Sequence, residues 1–446
     1  MLRSLHLEGV GPADRLDLEL GERLNVLTGD NGLGKSFVLE VAWWALTGTW
    51  TDRPVLPRPG KEEGARIAGE AEPGTTRHQF EGKYDRLAQQ WSDRFERHMG
   101  RSWTDTPSGA VISSWVRGLV PVLHVRTNGA CSVWDPCRNI PSLGSALYRL
   151  SSSPSPDPQP YLFEERQLWD GLGHEGRPVC NGLVQDWVTW QLEAADGDEA
   201  HPFQLLCRVL EQLSHPEETM KPGKPVRLYL DDVRKFPTIE LPYGTIPIVH
   251  ASAGMKRILA LSYLIAWSWS EHVQASRLIG WKPSDRIVLL MEEPETHLHP
   301  KWQRHIVPAL LGALSGLSPS MRPQVLLTTH SPLVLASMEP HFKPARDKLF
   351  VFELDGADVT VRELPWAKRG DAIGWLTSPV FGLEQARTIE AERAVEAAEA
   401  FMRGETGALP EGLRSEDAIH RELVRLLPDQ DRFWPRWIVR RERVGA

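Results

Sequence analysis

The stretch Gly29–Ser36, GDNGLGKS, limits what this chain can fold into more than any other segment. It meets the pattern G-x-x-x-x-G-K-[ST] in a context where that pattern has physical meaning. An apolar run, Leu24–Leu27, precedes it, and a helical run, KSFVLEVAWWALTG, follows it and ends near Gly48. A strand that turns at once into a helix needs glycine where the backbone folds back, and Gly29, Gly32 and Gly34 supply it. Together with Asp30, Asn31, Leu33 and Phe37 they form a loop whose N–H groups and helix N-terminus face negative charge. In such a loop Lys35 reaches the β- and γ-phosphates and Ser36 offers its hydroxyl to Mg²⁺. A bare strand–helix turn has no need of all these parts, so a nucleotide site is expected.

A second stretch, Ile287–Pro300, reads IVLLMEEPETHLHP. An apolar strand that ends in acids beside a phosphate loop is how such sites hold Mg²⁺ and activate water. Glu292 stands where the metal-side acid belongs, although the usual residue there is Asp, one methylene shorter. Glu293, one residue on and pointing the other way, is placed to act as a general base. Glu295, His297 and His299 alternate as zinc ligands on a continuing strand would. Pro294 and Pro300 argue instead for a turn and a new helix, with these three residues holding the turn and lining the nucleotide interface.

With 446 residues, 41% of them apolar, the chain can build one large domain with insertions or two to three smaller ones. A formal charge of −8 argues against a broadly basic nucleic-acid surface, though not against a local groove. The eighteen Trp residues point to core packing ahead of a partner surface. Cys131, Cys137, Cys180 and Cys207 meet no metal spacing, and a disulfide framework is not expected. MLRSLHLEG does not read as a signal peptide, and no run reaches about 18 apolar residues. A cytoplasmic protein with no membrane segment is expected.

Along the chain, alternation predicts two or three strands before the phosphate loop. Residues 54–74 read as a loop or a poorly ordered insert, and 119–136 as a hairpin turning at Asn128-Gly129. Ser151–Pro160, SSSPSPDPQP, marks a boundary. Strand character resumes at VRLYL, 226–230, and around TIPIVH, 245–250. Helices are expected from about 254 to 270 and from about 301 to 314. A hairpin should turn at Asp355-Gly356, and helices follow Gly374, one of them capped by Ser415. The predicted segments are 1–160, the N-terminal half of the nucleotide domain; 161–225, a mainly helical insertion; 226–373, its C-terminal half; and 374–446, a helical extension. Trp187 and Trp190 share one helical face, which favours burial over an interface patch. In DRFWPRWIVRRERVG, aromatic and basic residues interleave. That pattern suits either a nucleic-acid backbone or a terminal helix pinned by Trp434 and Trp437 with its arginines in water.

The order of motifs is phosphate loop, then IVHASAGMKRILALSYL, then the double-acid strand, then VLLTTHSP. It resembles the ABC-type ATPase domain. MEEPETHLHP with TTHSP is similar to the OLD/SMC-like branch, the AAA15/AAA21-type bacterial ATPases, akin to RecF and Rad50 heads and to ATPase subunits of Septu, retron and related phage-defence systems. The likeness covers residues 1–50 and 225–355. It implies an α/β fold, an ABC-type P-loop NTPase with a mixed β-sheet core, an antiparallel β-subdomain, a helical insertion and a helical C-terminal extension.

The same resemblance implies site roles. Ser252, Ala253 and Gly254 resemble the signature loop, which clamps the γ-phosphate of a nucleotide held by a second subunit. Lys256 and Arg257 either add charge there or face solvent. Glu293 resembles the catalytic glutamate and His330 the switch histidine. A metal-side glutamine is expected at the start of the inserted lobe, where Gln89 and Gln90 are the candidates and Gln90 is preferred. The implied cofactors are ATP and Mg²⁺, and the implied assembly is a homodimer or higher even-numbered oligomer. Two functions follow. One is control of an effector in anti-phage defence, such as an HNH-type or other nuclease. The other is a RecF/SMC-like action on DNA. No Toprim-like acidic cluster follows His330, and no long heptad array suits a tether.

Overall fold

The computed structural model describes residues 1–72, 77–92, 120–139, 159–174, 176–195, 198–405, 407 and 409–444. The strands in chain order are β1 (Leu2–Glu8), β2 (Arg15–Glu19), β3 (Leu24–Gly29), β4 (Arg66–Ala71), β5 (His78–Asp85), β6 (Gln90–Trp91), β7 (Val122–Val125), β8 (Cys131–Trp134) and β9 (Tyr161–Phe163). They continue as β10 (Leu172–His174), β11 (Arg177–Cys180), β12 (Lys221–Arg227), β13 (Lys235–Leu241), β14 (Gly244–Pro247), β15 (Arg286–Glu292), β16 (Arg322–Thr328), β17 (Asp347–Asp355) and β18 (Asp358–Glu363). The helices up to the middle of the chain are α1 (Lys35–Thr47), α2 (Pro136–Asn139), α3 (Glu165–Asp170), α4 (Leu183–Glu193), α5 (Pro202–Leu213) and α6 (Ala253–Leu278). After β15 come α7 (Pro300–Gln303), α8 (Ile306–Ser315) and α9 (Pro332–Met338), then α10 (Ala372–Leu376), α11 (Ile389–Arg403), α12 (Glu416–Leu426) and α13 (Trp434–Val444).

The chain divides into two compact units, Met1–Gly370 and Asp371–Ala446. The first is an α/β unit built on an eight-stranded mixed sheet of order β18-β17-β3-β16-β15-β7-β8-β9. Its centre, β17-β3-β16-β15-β7, is parallel, which is why Ile287–Met291 of β15 and Val325–Leu327 of β16 are unbroken apolar runs, buried on both faces. A separate antiparallel sheet has the order β2-β1-β4-β5-β6. Helix α1 joins the two sheets through one apolar cluster. Trp43 and Val38 of α1 pack there with Leu5 of β1, Ile67 of β4, Leu290 of β15 and Phe352 of β17. The register aligns Leu27, Thr328 and Glu292, so the carboxyl ends of β3, β16 and β15 finish side by side.

Several elements differ from the sequence expectation. Residues 66–71, placed in a loop, form β4, because pairing to both β1 and β5 outweighs the local Pro/Gly content. Between 161 and 225, α3, α4 and α5 share the segment with strands. β9 extends the central sheet, β10–β11 form a hairpin, and β12 begins at Lys221. Strand β12 stops at Arg227, short of Tyr229 and Leu230. Strand β13, interrupted in its pairing at Pro237, has no clear sequence signal. Helix α6 runs on to Leu278, and the helix expected from 301 is broken at Arg304-His305 into α7 and α8. The Asn128-Gly129 hairpin is present with a three-residue loop, closed by Arg126 N–H to Ala130 O at 3.0 Å. Of the boundary at 151–160, residues 151–158 lie outside the described residues.

The second unit packs α11, α12 and α13 around Ala394, Ala398, Ile419, Leu423, Phe433 and Trp437. Ser415 caps α12 by accepting the Ala418 N–H. Three arginines of α13, of which Arg436 is largely exposed, have partners within their own unit. Arg436 pairs with Glu399, Arg441 with Glu416 and Asp417, and Arg440 donates to the Phe401 and Met402 carbonyls. Among the described residues, no helix is long and apolar enough to cross a membrane.

Candidate functional site

The phosphate loop leaves β3 at Gly29 and enters α1 through Gly34, whose φ of 90° is a left-handed conformation. A Cβ at Gly34 would meet Pro12 Cγ at 2.4 Å, so glycine is required both by backbone and by space. No side chain caps the first turn of α1, and no acid lies in it. Its N–H groups therefore remain available to an anion. Lys35, only 6% exposed, folds over the loop and donates to Gly29 O at 3.0 Å and Asp30 O at 2.5 Å. Burial lowers its pKa, against the pull of Glu293 and Asp30. An ammonium resting on two carbonyls, beside an uncapped helix start, fits a polyphosphate that would displace it. Asp30, Asn31 and Gly32 are exposed, Leu33 is buried, Ser36 is exposed and Phe37 half-buried.

At the end of β15, Glu292 is 8% exposed and its carboxylate accepts from Thr127 N–H at 3.3 Å and more distantly from Thr127 Oγ1. Glu293 follows with φ 40°, left-handed in a residue with a Cβ, at a cost of about 1–2 kcal/mol. The bend is held by its N–H, which donates to Thr328 O at 3.0 Å and Thr328 Oγ1 at 3.2 Å. It turns the carboxylate toward His330, whose Nε2 lies 3.9 Å from Glu293 Oε1. Burial and then Lys35 lower the His330 pKa, while Glu293 and Asp30 oppose them, so the ring is neutral near pH 7. Lys35, Glu293 and His330 thus form one electrostatic group at the ends of β3, β15 and β16.

Glu295 holds the turn after β15 through partners the sequence did not reveal. Its Oε1 accepts from Thr329 Oγ1 at 2.8 Å and from His330 N–H at 2.9 Å, tying the turn after β15 to the backbone of His330. Burial pushes its carboxyl pKa up, and its Oε2 is buried without a hydrogen-bond partner. The zinc alternative does not assemble. His299 uses its ring to cap α7, and among the described residues Glu295, His297 and His299 form no group close enough to share an ion. A buried trio that is close enough, Asp135, Cys137 and His272, is tied by hydrogen bonds of His272, while Asp135 Oδ2 has no hydrogen-bond partner. His272 Nδ1 meets Asp135 at 2.9 Å, and its Nε2 accepts the Ser284 N–H at 3.0 Å.

Ser252 is the N-cap of α6, its Oγ accepting Met255 N–H at 3.3 Å. Ser252 and Ala253 are exposed, while Gly254 packs so closely on His297 that a Cβ would lie 2.9 Å from the His297 carbonyl. Arg257 does not face solvent. Its guanidinium reaches the Thr127, Glu292 and Glu293 carbonyls. Gln90 lies elsewhere, exposed in β6 at the edge of the antiparallel sheet, and Gln89 precedes it with φ 51°. The strand that enters the site beside β15 is β7, and the loop after it brings the Thr127 side chain to Glu292.

Two family models match the chain. One, described as "AAA domain, putative AbiEii toxin, Type IV TA system", covers residues 210–336, and another, "AAA domain", covers 4–95. Between them they hold Ser252, Glu293 and His330 in the first and Lys35 in the second. Over these residues the chain is similar to AAA domains, which together with the fold and the phosphate loop supports a P-loop ATPase domain within the first unit. Among solved structures, an SMC head bound to the C-winged helix domain of ScpA is similar at 11% identity, over 81% of this chain and 97% of that one, with a TM-score of 0.42. The SMC head domain from Thermotoga maritima gives 15% identity, 82% and 99% coverage and a TM-score of 0.38. The recombination mediator RecF of the RecFOR pathway gives 13%, 82% and 98%, and 0.36. At such scores these likenesses carry no weight, and the α/β assignment rests on strand order and phosphate loop.

Proposed function

We propose that the chain is a Mg²⁺-dependent ATPase that closes head-to-tail with a second copy around two ATP molecules, and that closure and hydrolysis control a partner effector. The observation that carries this reading is the convergence of Lys35, Glu293 and His330 at three neighbouring strand ends, next to an uncapped helix N-terminus. In this reading the N–H groups from Gly32 to Ser36 and the Lys35 ammonium bind the phosphates. Glu293 holds the attacking water and takes its proton, and neutral His330 donates a ring N–H to the γ-phosphate. Mg²⁺, held by Ser36 and Glu292, would neutralise charge on the β- and γ-oxygens.

The exposure of Ser252 and Ala253, at the start of an uninterrupted 26-residue helix, supports their use on a neighbour's nucleotide, with the α6 N-terminus turned toward its γ-phosphate. Control of an effector is supported by the match of residues 210–336 to an AAA domain of a putative toxin of a type IV TA system, and we place that control in anti-phage defence. The reading of α13 as a DNA contact is weaker, since Arg436, Arg440 and Arg441 are engaged within their own unit.

Glu293→Gln is expected to bind ATP at parental strength, to accumulate as a closed dimer and to lose about 10²-fold or more in kcat. Lys35→Ala should lose ATP binding itself. Filter binding, phosphate release and sizing with and without ATP separate the two. Parental turnover in the Gln variant would remove the role given to Glu293.

A further inference from the structure

Arg257 lies five residues beyond Ser252, in the first turns of α6, and points back beneath the acidic strand end. Nη1 donates to Thr127 O at 3.2 Å, and Nη2 donates to both Glu292 O and Glu293 O at 3.1 Å. One planar side chain therefore joins the helix that carries the Ser252 turn, the end of β15 and the loop after β7. That loop in turn meets the Glu292 carboxylate through Thr127. The peptide being held is the unusual one. Glu293 has φ 40°, so regular strand pairing cannot fix its carbonyl, and Arg257 does so while Thr328 fixes its N–H. Glu295, Glu293, Glu292 and Glu165 all press negative charge on the same spot. An arginine fork can serve acceptors on two elements at once, whereas a lysine offers a single point of charge.

We propose that Arg257 is a positioning residue that locks the Glu292–Glu293 backbone to the Ser252 turn, so that engagement of this turn by a neighbour's triphosphate sets the aim of Glu293 in the same chain. The inference rests on the head-to-tail reading above. In that pair the turn of one chain meets the nucleotide of the other, while Glu293 acts on its own chain's nucleotide. Arg257 then makes each site report on its neighbour, and hydrolysis is cooperative because of a contact that touches neither nucleotide.

The test uses the full chain, with ATP binding measured by fluorescent-nucleotide titration, turnover by phosphate release and folding by thermal melting. The parent is expected to show a Hill coefficient near 2 for turnover, the limit for two sites. Arg257→Lys should melt as the parent does and bind ATP within about twofold, yet lose about tenfold in kcat and drop to a Hill coefficient of about 1. Arg257→Ala should do the same with a larger loss of kcat. A Lys variant with parental kcat and cooperativity, or a parent that is itself non-cooperative, overturns the proposal. So does an Ala variant that loses ATP binding as fully as Lys35→Ala. Failure of the head-to-tail reading is visible separately, as a Glu293→Gln chain that binds ATP yet stays monomeric on sizing.

Discussion

At the scale of single residues, the site runs on groups whose surroundings decide their charge. His330 stays neutral because it is half-buried beside an ammonium, and Lys35 is held close to the loop carbonyls that phosphate would replace. His124, on β7 behind the site, shows the same physics more starkly. It is fully buried, neither ring nitrogen makes a hydrogen bond although Nδ1 lies 3.7 Å from Glu40 Oε1, and burial followed by Arg126 brings its pKa down to about 3. The unfolded chain would protonate it near pH 6.5, the folded chain only near 3. Its stabilising contribution is therefore complete above about pH 6.5 and is lost as pH falls toward 3. Between about pH 7 and 4.5 the parent should lose about 2–3 kcal/mol more stability in urea than His124→Leu does. At neutral pH the Leu variant should be no less stable, because it removes two unpaired buried nitrogens.

At the scale of elements, the site exists because three parallel strands end in register and each ends in a turn that only certain residues allow. Gly29 pairs with Phe352 of β17 at φ 127°, and a Cβ there would sit 2.1 Å from the Phe352 carbonyl. Gly29→Ala is expected to cost about 2–4 kcal/mol in denaturant unfolding, from backbone strain and overpacking together. Gly32, at φ 79°, has no atom within 4 Å of where a methyl group would stand, and should lose only about 1 kcal/mol as Ala. If both variants unfold at the same denaturant concentration, the close approach of β17 is not what holds the loop. The turn after β15 works in the same fashion. Glu295 ties it to His330, and the bent peptide of Glu293 is caught between Thr328 and Arg257.

At the scale of the molecule, the chain is two units, and every group of the candidate site lies in the first. The second has its own core, with Trp437 fully buried and its indole N–H bonded to His420. A chain ending at Gly370 should fold and bind ATP within about threefold of the full-length protein. A fluorescent-nucleotide titration decides this, and loss of binding would show that the C-terminal unit is needed to build the site.

The phosphate loop, the acidic strand end and the order of motifs could be read directly from the residues. Each is a local pattern in which a few consecutive side chains and glycines meet one chemical need. The helices of the second unit could be read for a similar reason, since their apolar spacing repeats within each element. Strands β4 and β13 could not, because their residues become strand only by pairing with partners far away in the chain. The same holds for Thr127 beside Glu292, for Glu295 on the His330 backbone and for Arg257 across three carbonyls. These contacts join segments tens to hundreds of residues apart, and no spacing along the chain encodes which strand ends will finish side by side.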